Sequence, residues 1–254
     1  MIPSVEKALK VLEFLAAQRG GGTITELSRQ FKIPISTMNN LLLTLTKCGY
    51  LRRDAKGNFR TTLKLLDLAG TVMRNNDLRD IAREDLERLA EETGLAAILS
   101  IRDGDRMVCI EKEEGASQIR VASNVGMHFH LHSTATGKAV LANLPEEEVA
   151  SIAERTGLPA VTTNTLTSLR ALRQELRRIR ETGYALDNEE NSRGIRGIGA
   201  PVYDHSGHVI GAISTGGVGF QIDDRMAAVT AAVIRCAQSV SEKQGYRVPS
   251  GVAP

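Results

Sequence analysis

The sequence predicts an α+β fold, in which a small helical N-terminal domain precedes a larger domain of helices on an antiparallel sheet. Two short helical patterns meet at a tight joint over residues 32–34, and a strand–turn–strand pattern follows at residues 49–61. Beyond residue 95, short strand patterns joined by turns dominate and no βαβ spacing occurs, which favours antiparallel pairing. Charge also divides the chain, because residues 1–76 contain 12 Lys and Arg against 5 Asp and Glu, whereas the other 178 residues contain 20 against 25.

Three helices are expected in the N-terminal domain. The first is closed by the glycines at 20–22, the second opens with Thr25 as its N-cap, and the third covers Ile35–Cys48. The apolar stripe of the first helix consists of Val5, Ala8, Leu9, Leu12, Leu15 and Ala16. The inward face of the third helix consists of Ile35, Met38, Leu41, Leu42 and Leu45. This order of helices is typical of proteins that place a helix in the major groove of DNA.

The outward face of the third helix indicates the function of this domain. It consists of Ser36, Thr37, Asn39, Asn40 and Thr44. Lys and Glu are better helix formers for a face that only meets solvent, so these small and amide side chains need another reason. Base-edge contact supplies it, because Asn can pair with adenine, and Ser and Thr can bond bases or phosphates. The alternative for this stretch alone is an ordinary helical hairpin in a protein core.

A basic hairpin follows the third helix. Its strands are expected at residues 49–53 and 59–61, and its turn at residues 54–58. Its cationic side chains are Arg52, Arg53, Lys56 and Arg60. Phosphate contacts by these side chains would fix the helix on double-stranded DNA without reading its sequence. The net charge of +7 over residues 1–76 suits such a polyanion, and Thr25 completes the expected contact surface.

Several other classes of protein are disfavoured. Met1–Pro3 lacks the parts of a signal peptide, no run of about eighteen apolar residues could span a bilayer, and the three distant cysteines form no zinc or disulfide pattern. A cytoplasmic protein is therefore expected. The glycines of Gly216–Gly219 and the Gly-Lys pair in Thr136–Ala139 lack the rest of a nucleotide-binding motif, and no G-x-S-x-G occurs. We therefore expect neither an enzyme nor a bound cofactor.

The remaining elements follow from turn and capping signals. Leu63–Arg74 is predicted as an apolar helix that packs on its own domain or on a second copy of the chain, and Asn75-Asn76 as a hinge. Strands are expected at Ala96–Arg102, Arg106–Glu111, Gln118–Ser123, Tyr184–Asn188, Ile195–Tyr203 and Val209–Thr215. Helices are expected at Leu78–Thr93, Thr136–Asn143, Pro145–Arg155, Ser168–Thr182 and Asp223–Lys243.

Four strings of residues resemble the isocitrate lyase regulator (IclR) family of bacterial transcription factors. They are Ser4–Leu9, Ile33–Thr37, Leu131–Ala139, and Gly194–Val202 running on to Ala212–Ser214. The resemblance extends from Ser4 to Gln244 and implies a winged helix-turn-helix, a linker helix and a C-terminal ligand-sensing domain of GAF-like fold. The expected domain bounds are 1–62, 63–76 and 77–246, with a tail at 247–254. The resemblance also implies dimers or tetramers, which would bind a pseudo-palindromic operator.

An effector pocket is also implied by the resemblance. Carried over residue by residue, it consists of Ala135, Thr136, Asp187, Gly197, Ser214 and Gly216, and His130 is expected at its rim. Free backbone N–H groups at the start of a helix and two hydroxyls suit a small organic acid. Gly197 stands where family members often have Cys, which leaves room for a larger ligand, with aromatic acids as candidates. Asn39 and Asn40 replace a common His-Arg pair, which argues against guanine reading by residue 40.

Some alternatives stay open from sequence. His128, His130 and His132 alternate, so in one strand they would face one side and could bind a transition metal. Only His132 belongs to the family pattern and no further ligand is adjacent, so no metal is expected. The expected function is a ligand-responsive repressor of a catabolic operon. An activator, a C-terminal domain that only oligomerises, and an enzyme built on a GAF-like domain are the alternatives.

Overall fold

The computed structural model describes residues 2–18, 20–74, 77–119 and 121–247, which divide into two units, Met1–Asn75 and Asn76–Pro254. The predicted hinge at residues 75–76 and the tail beyond residue 247 lie outside the described residues. Within the described ranges, no helix is both long and apolar enough to cross a membrane.

Helices α1 (Pro3–Ala17), α2 (Ile24–Phe31) and α3 (Ile35–Lys47) surround one core in the first unit. Its buried side chains are Val11, Leu12, Leu15, Leu27, Ile33, Met38, Leu42, Leu45, Leu51 and Phe59. Strands β1 (Leu51–Arg53) and β2 (Phe59–Thr61) form the predicted hairpin, and helix α4 (Lys64–Arg74) follows it. The three-helix arrangement with its hairpin is therefore confirmed.

Three details of the first unit differ from the prediction. Helix α2 is capped by Thr23, whose hydroxyl accepts from the N–H of Glu26 while the Glu26 carboxylate accepts from the N–H of Thr23. Because this capping box starts the helix earlier, Thr25 lies inside it and is not the N-cap. Val5 and Leu9 are exposed, because α1 turns a different stripe towards the core. Ile35 is also exposed, since Ile33 in the preceding joint fills that part of the core.

The second unit is a six-stranded antiparallel sheet with helices on both faces, which confirms the α+β class. Its strands are β3 (Ala96–Asp103), β4 (Arg106–Glu113), β5 (His128–His130), β6 (Ala185–Asn188), β7 (Ile195–Tyr203) and β8 (Val209–Val218). Their order across the sheet is β5-β4-β3-β8-β7-β6. Its helices are α5 (Asp77–Thr93), α6 (Ala135–Leu141), α7 (Glu146–Thr156), α8 (Leu169–Thr182), α9 (Gly219–Asp223) and α10 (Met226–Lys243).

Alternation along the strands separates two cores. Leu99, Ile198 and Ile213 point to one face, where helices α5 and α10 pack on them. Met107 and Ala212 point to the other face, where α6, α7 and α8 supply the partners. The residues of this second face that α6 does not cover border an open cavity.

Two elements of the second unit were predicted wrongly. Residues 121–123 form no strand, because the Lys112 Nζ donates to the carbonyls of Val121 and Ser123 and so occupies groups that a strand would pair. The third strand is β5 instead, on the outer edge of β4. The last long helix begins at Met226, after a break at Arg225 that separates it from the short helix α9.

Candidate functional site

The joint between α2 and α3 fixes the orientation of α3. Lys32 adopts a left-handed conformation with φ of 53°, and the Ser28 hydroxyl donates to the Ile33 carbonyl at 2.6 Å. Met38, Leu42 and Leu45 then anchor α3 in the core. As a result, the opposite face of α3 is free to meet a ligand.

That outward face carries the predicted polar residues and one exposed apolar residue, Leu43. Ser36, Thr37, Asn40 and Thr44 are exposed and Asn39 is half-buried. The hydroxyl of Thr44 donates to the Asn40 carbonyl at 2.8 Å, so its hydrogen is already used within the helix. Leu43, three residues beyond Asn40, is 53% exposed and lies on the same side of the helix. An apolar side chain here can contact a thymine methyl group.

Asp54 organises the turn of the hairpin. Its Oδ1 accepts from the N–H groups of Lys56 and Asn58, at 2.9 Å each, and its Oδ2 lies 3.1 Å from the Nε of Arg60. The backbone N–H of Asn58 is the foremost of the contacts that lower the pKa of Asp54. This carboxylate therefore stays ionised and holds Arg60 in the hairpin.

The four cations of the hairpin fall into two classes. Arg60 is paired with Asp54, and Arg53 lies 5.6 Å from the centre of the Phe59 ring and donates to the Gly57 carbonyl at 3.3 Å. Arg52 and Lys56 are exposed, and across the described ranges their side chains make no hydrogen bond or ion pair. These two are the cations available to an anion.

The second unit contains a cavity of about 570 Å³, a volume within the usual range for small-molecule sites. It lies beside the N-terminal end of α6, on the sheet face that carries Ser214 and Gly197. Its walls are formed by strands β3, β7 and β8, by the loop after β6, and by the segment that precedes β5. The lining residues are Ile98, Ser100, Val121, Ala122, Ser123, Met127, His128, Phe129, Thr134, Thr136, Asp187, Asn191, Ser192, Ile195, Arg196, Gly197, Ser214, Thr215 and Gly216.

Asp187 is the acidic group of this cavity. Its side chain is only 7% exposed, and its Oδ1 accepts from the N–H groups of Glu190 and Asn191, at 2.8 and 3.3 Å. Burial raises the pKa of Asp187 to about 7, because desolvation outweighs these two hydrogen bonds. Near neutral pH a large fraction of Asp187 is therefore protonated and can donate a hydrogen bond to an anionic ligand.

Two glycines of β7 meet α6 differently. A Cβ on Gly199 would lie 2.9 Å from the carbonyl carbon of Ala135, so Gly199 allows the close approach of α6 to the sheet. A Cβ on Gly197 would meet no atom closer than 3.6 Å. Gly197 therefore leaves space that the cavity uses, whereas Gly199 is required for packing.

The buried Lys138 connects α6 to the loop that carries Asp187. Its Nζ donates to the Leu186 carbonyl at 2.6 Å and pairs with the carboxylate of Glu190. Burial raises the pKa of Glu190, while the contact with Lys138 opposes that shift. Since Glu190 also donates its N–H to Asp187, the ion pair helps to fix the polar end of the cavity.

Comparisons with known proteins identify the family. The family model described as bacterial transcriptional regulator IclR C-terminal matches residues 70–242, and the model described as IclR helix-turn-helix domain matches residues 4–55. The chain belongs to the IclR family of transcriptional regulators. It is 36% identical over 225 residues to the HTH-type transcriptional regulator XynR of Escherichia coli K12, a match that covers 88% of this chain and 89% of that protein.

Further relatives match over almost the whole chain. The HTH-type transcriptional repressor AllR of Salmonella typhi is 30% identical over 248 residues, which are 97% of this chain and 91% of that protein. The acetate operon repressor of Salmonella typhimurium LT2 is 30% identical over 96% of this chain and 90% of its own length. The crystal structure of the Thermotoga maritima IclR superposes with a TM-score of 0.80 at 32% identity, over 97% of this chain and all of that one. The predicted resemblance is thereby confirmed, with a helix-turn-helix of the DNA-binding type.

The positions carried over from the IclR family are largely brought together. Thr136, Asp187, Gly197, Ser214 and Gly216 all line the cavity. Two predicted members do not line it. Ala135 lies behind the wall, where its backbone packs against Gly199. His130 borders a separate, nearly closed space near His132, because its neighbours His128 and Phe129 occupy the cavity wall instead.

The three alternating histidines do not share one strand. Strand β5 ends at His130, and His132 lies in the turn before α6, where its Nε2 is 3.0 Å from the Pro159 carbonyl. His128 lies 3.7 Å from a carboxylate oxygen of Asp103. Among the residues that the structure describes, no group of three or more His, Cys, Asp or Glu could hold a metal ion.

Sequence reasoning missed one side of the cavity. Four of its lining residues lie outside the family motifs. They are Ile98 and Ser100 of β3, and Ser123 and Met127 of the segment that precedes β5. One signal was present, because Ser100 interrupts the apolar run from Ala96 to Ile101. A buried hydroxyl in such a strand needs a partner, which a nearby ligand can supply.

Proposed function

We propose that this IclR-family protein is a ligand-responsive repressor of a catabolic operon and that it binds a pseudo-palindromic operator as a homo-oligomer. The observation that carries the ligand response is the polar cavity beside α6, with the buried Asp187 at one end. Repression is favoured over activation because AllR and the acetate operon repressor are named as repressors. The protein acts in the cytoplasm and needs no catalytic step.

For the operator, we assign base-edge contacts to the outward face of α3. Asn39 and Asn40 are the candidates for adenine, and Ser36 and Thr37 for bases or phosphates at the start of the helix. Thr25 and Thr44 serve as further polar contacts at the edges of this surface. In the hairpin, Arg52 and Lys56 contact phosphates, while Arg53 and Arg60 mainly hold the hairpin together.

For the effector, we propose a small organic acid. The protonated Asp187 can donate to a carboxylate, which an ionised Asp187 would repel. Thr136 of α6 and Ser214 of β8 line the same cavity, and their hydroxyls can complete the hydrogen bonds of the carboxylate. This arrangement favours an anion over a cation as the ligand.

For the homo-oligomer, the first unit offers exposed apolar side chains on two helices. Four apolar residues are each more than half exposed: Leu63 just before α4, Leu66 in its first turn, and Val5 and Leu9 on α1. Apolar surface of this kind marks interaction sites, and a second copy of the chain is the partner that a palindromic operator requires. A dimer and a tetramer both satisfy this argument.

The test combines operator binding with metabolite binding. Full-length protein is titrated onto DNA from the region upstream of its own gene, and fluorescence anisotropy is measured with and without a panel of organic acids. The proposal predicts specific binding that one acid weakens by about 5–150-fold, the usual range of allosteric coupling. Operator binding that no acid changes would favour a C-terminal domain that only oligomerises. Falling transcription of the neighbouring genes after deletion of the protein would indicate an activator.

A further inference from the structure

Helix α2 ends at a residue whose backbone is strained. Lys32, its C-cap, has φ of 53° and ψ of 42°, the left-handed conformation, in which a Cβ crowds the backbone carbonyl oxygen. Glycine has no Cβ and avoids this crowding. The chain uses glycine at the same position of other helices, because Gly157 ends α7 with φ of 69° and Gly183 ends α8 with φ of 77°. A lysine at the end of α2 therefore has a conformational cost that a glycine would not have.

Two other described residues that are not glycine share this conformation, and the side chain of each is used within the protein. Leu158 is 5% exposed and is buried in the core that α6, α7 and α8 form with the sheet. The carboxylate of Glu189 accepts from the N–H of Gly194 at 2.9 Å. Lys32 differs, because it is exposed and its side chain makes no hydrogen bond or ion pair across the described ranges. Among the described side chains, none offsets the strain at Lys32.

The charges around Lys32 indicate the kind of group that its ammonium can meet. Residues 27–53, from within α2 to the end of β1, contain five Lys and Arg and no Asp or Glu. Glu26, the last acid before this stretch, is already engaged, since its carboxylate accepts from the N–H and the hydroxyl of Thr23 at 2.8 Å each. Arg29, one turn before Lys32, is exposed and adds a second positive charge. Like charges without acids between them are unfavourable by themselves, and a polyanion stabilises them.

The position of Lys32 complements that of the hairpin. Lys32 lies three residues before Ile35, the first residue of α3, whereas Arg52 and Lys56 follow the other end of that helix. The 13 residues of α3 rise about 20 Å, which exceeds the width of the major groove, about 12 Å. A helix in this groove has a phosphate backbone on each side. Free cations therefore both precede and follow the helix that the groove would hold.

From these observations we infer that Lys32 contacts a phosphate of the operator at the N-terminal end of α3, and that the chain carries a strained residue there for this purpose. The inference rests on the operator binding proposed above and adds a phosphate contact at the end of α3 opposite to the hairpin. A cation at the C-terminal end of α2 can also stabilise the helix dipole, which would be a purely structural role. The two explanations differ in sign, because a phosphate contact leaves the DNA-free protein with the cost of the strain, whereas a dipole contact stabilises that protein.

The first experiment measures the salt dependence of DNA binding by the full-length protein. Lys32→Gly and Lys32→Arg are titrated by fluorescence anisotropy onto DNA from the region upstream of the gene and onto a shuffled duplex. Lys32→Gly should flatten the slope of log K against log salt by about 0.9 for each bound joint, on both duplexes. Between about 50 and 200 mM salt, the parent protein should then lose about three- to fourfold more affinity than Lys32→Gly for each contact.

Two variants serve as controls for the slope. Lys32→Arg should keep the slope of the parent protein, because it keeps the charge. Lys10→Gln removes a lysine that is paired with Glu6 on α1, so it should not change the slope either. An unchanged slope in Lys32→Gly, or an equal flattening in Lys32→Arg or Lys10→Gln, would overturn the inference.

The second experiment measures the thermal midpoint of the DNA-free protein. In Lys32→Gly the midpoint should stay the same or rise, because the strain is removed and no described side-chain partner is lost. The reverse substitution, Gly157→Lys, should lower the midpoint, since a Cβ on Gly157 would meet no atom within 4 Å and the change adds only conformational strain. A lower midpoint in Lys32→Gly would show a structural role, and an unchanged midpoint in Gly157→Lys would show that a lysine in this conformation has no cost. Either result would overturn the inference.

The response to metabolites separates this inference from the proposed function. If an organic acid releases the operator but Lys32→Gly keeps the slope of the parent protein, the regulatory proposal stands and the inference about Lys32 fails. If Lys32→Gly flattens the slope but no acid changes operator affinity, the phosphate contact stands and the proposed ligand response fails.

Discussion

The two free cations of the hairpin allow a quantitative test of phosphate contact. Arg52 and Lys56 have no side-chain partner within the described part of the chain, whereas Arg60 is neutralised by Asp54. The double substitution Arg52→Ala/Lys56→Ala therefore removes two charges that can meet DNA, and Arg60→Gln removes one that is already paired. The hairpin turn stays intact in the double variant, because Asp54 keeps its contacts with the backbone and with Arg60.

The expected magnitude follows from counterion release. Each neutralised phosphate contributes about 0.9 to the slope of log K against log salt, so the double variant should flatten the slope by about 1.8 for each bound hairpin. Between about 50 and 200 mM salt, the parent protein should then lose about tenfold more affinity than the double variant. Arg60→Gln should change the slope by less than about half a unit, since the Asp54–Arg60 pair is neutral overall.

Fluorescence anisotropy at four or five salt concentrations measures these slopes. Both the specific operator and a shuffled duplex are used, because phosphate contacts should weaken both alike. Lys10→Gln on α1 is a matched charge control, since Lys10 is paired with Glu6 at 2.6 Å. An unchanged slope in the double variant, or an equal effect of Arg60→Gln, would refute the assignment of Arg52 and Lys56 as phosphate contacts.

Three further predictions concern base reading, cavity space and protonation. Asn40→Ala should cost about 1–3 kcal/mol of binding free energy on the operator and little on shuffled DNA, and equal losses on both duplexes would contradict base reading. Replacing one operator thymine with uracil should weaken binding of the parent protein, and Leu43→Ala should abolish this loss of affinity. Gly197→Leu should prevent the effector response without changing operator affinity, whereas Gly199→Ala should lower the free energy of unfolding by about 1–3 kcal/mol, because its Cβ would overlap the backbone of α6. The pKa of Asp187 is raised to about 7, so the folded state holds a proton that the unfolded chain releases. The free energy of unfolding should therefore fall as the pH rises from about 4 to about 7, and urea titrations of Asp187→Asn should lack this decline.

The sequence allowed the order of elements to be predicted wherever local signals determine it. Gly183 ends helix α8 in a left-handed conformation, and strand β7 occupies the predicted residues, Ile195–Tyr203. The error at Thr25 was avoidable, because the spacing of Thr23 and Glu26 is that of a capping box. The error at residues 118–123 was not avoidable. The Lys112 side chain donates to the Val121 and Ser123 carbonyls, and these contacts form only when the chain has folded.

Apolar periodicity also fails to separate the side chains of a core from apolar side chains that stay exposed. Helix α1 has apolar residues on two sides, and only Val11, Leu12 and Leu15 are buried within the first unit. Val5 and Leu9 satisfy the same spacing and remain exposed. The pattern therefore identifies the apolar residues of α1, and only the three-dimensional structure distinguishes those that enter the core of the first unit from those that stay exposed.

At the candidate sites, the decisive property is whether a polar side chain already has a partner. Arg52 and Arg60 are paired in register on adjacent strands, yet only Arg60 lies within reach of Asp54. Ser214 and Thr215 are consecutive, yet only Thr215 bonds a neighbouring strand. No local pattern distinguishes the members of either pair, since each distinction depends on a residue brought close by folding. Function is therefore best sought among the polar groups that folding leaves unpaired. Those groups keep their hydrogen-bonding capacity, and a phosphate or an effector can satisfy it on binding.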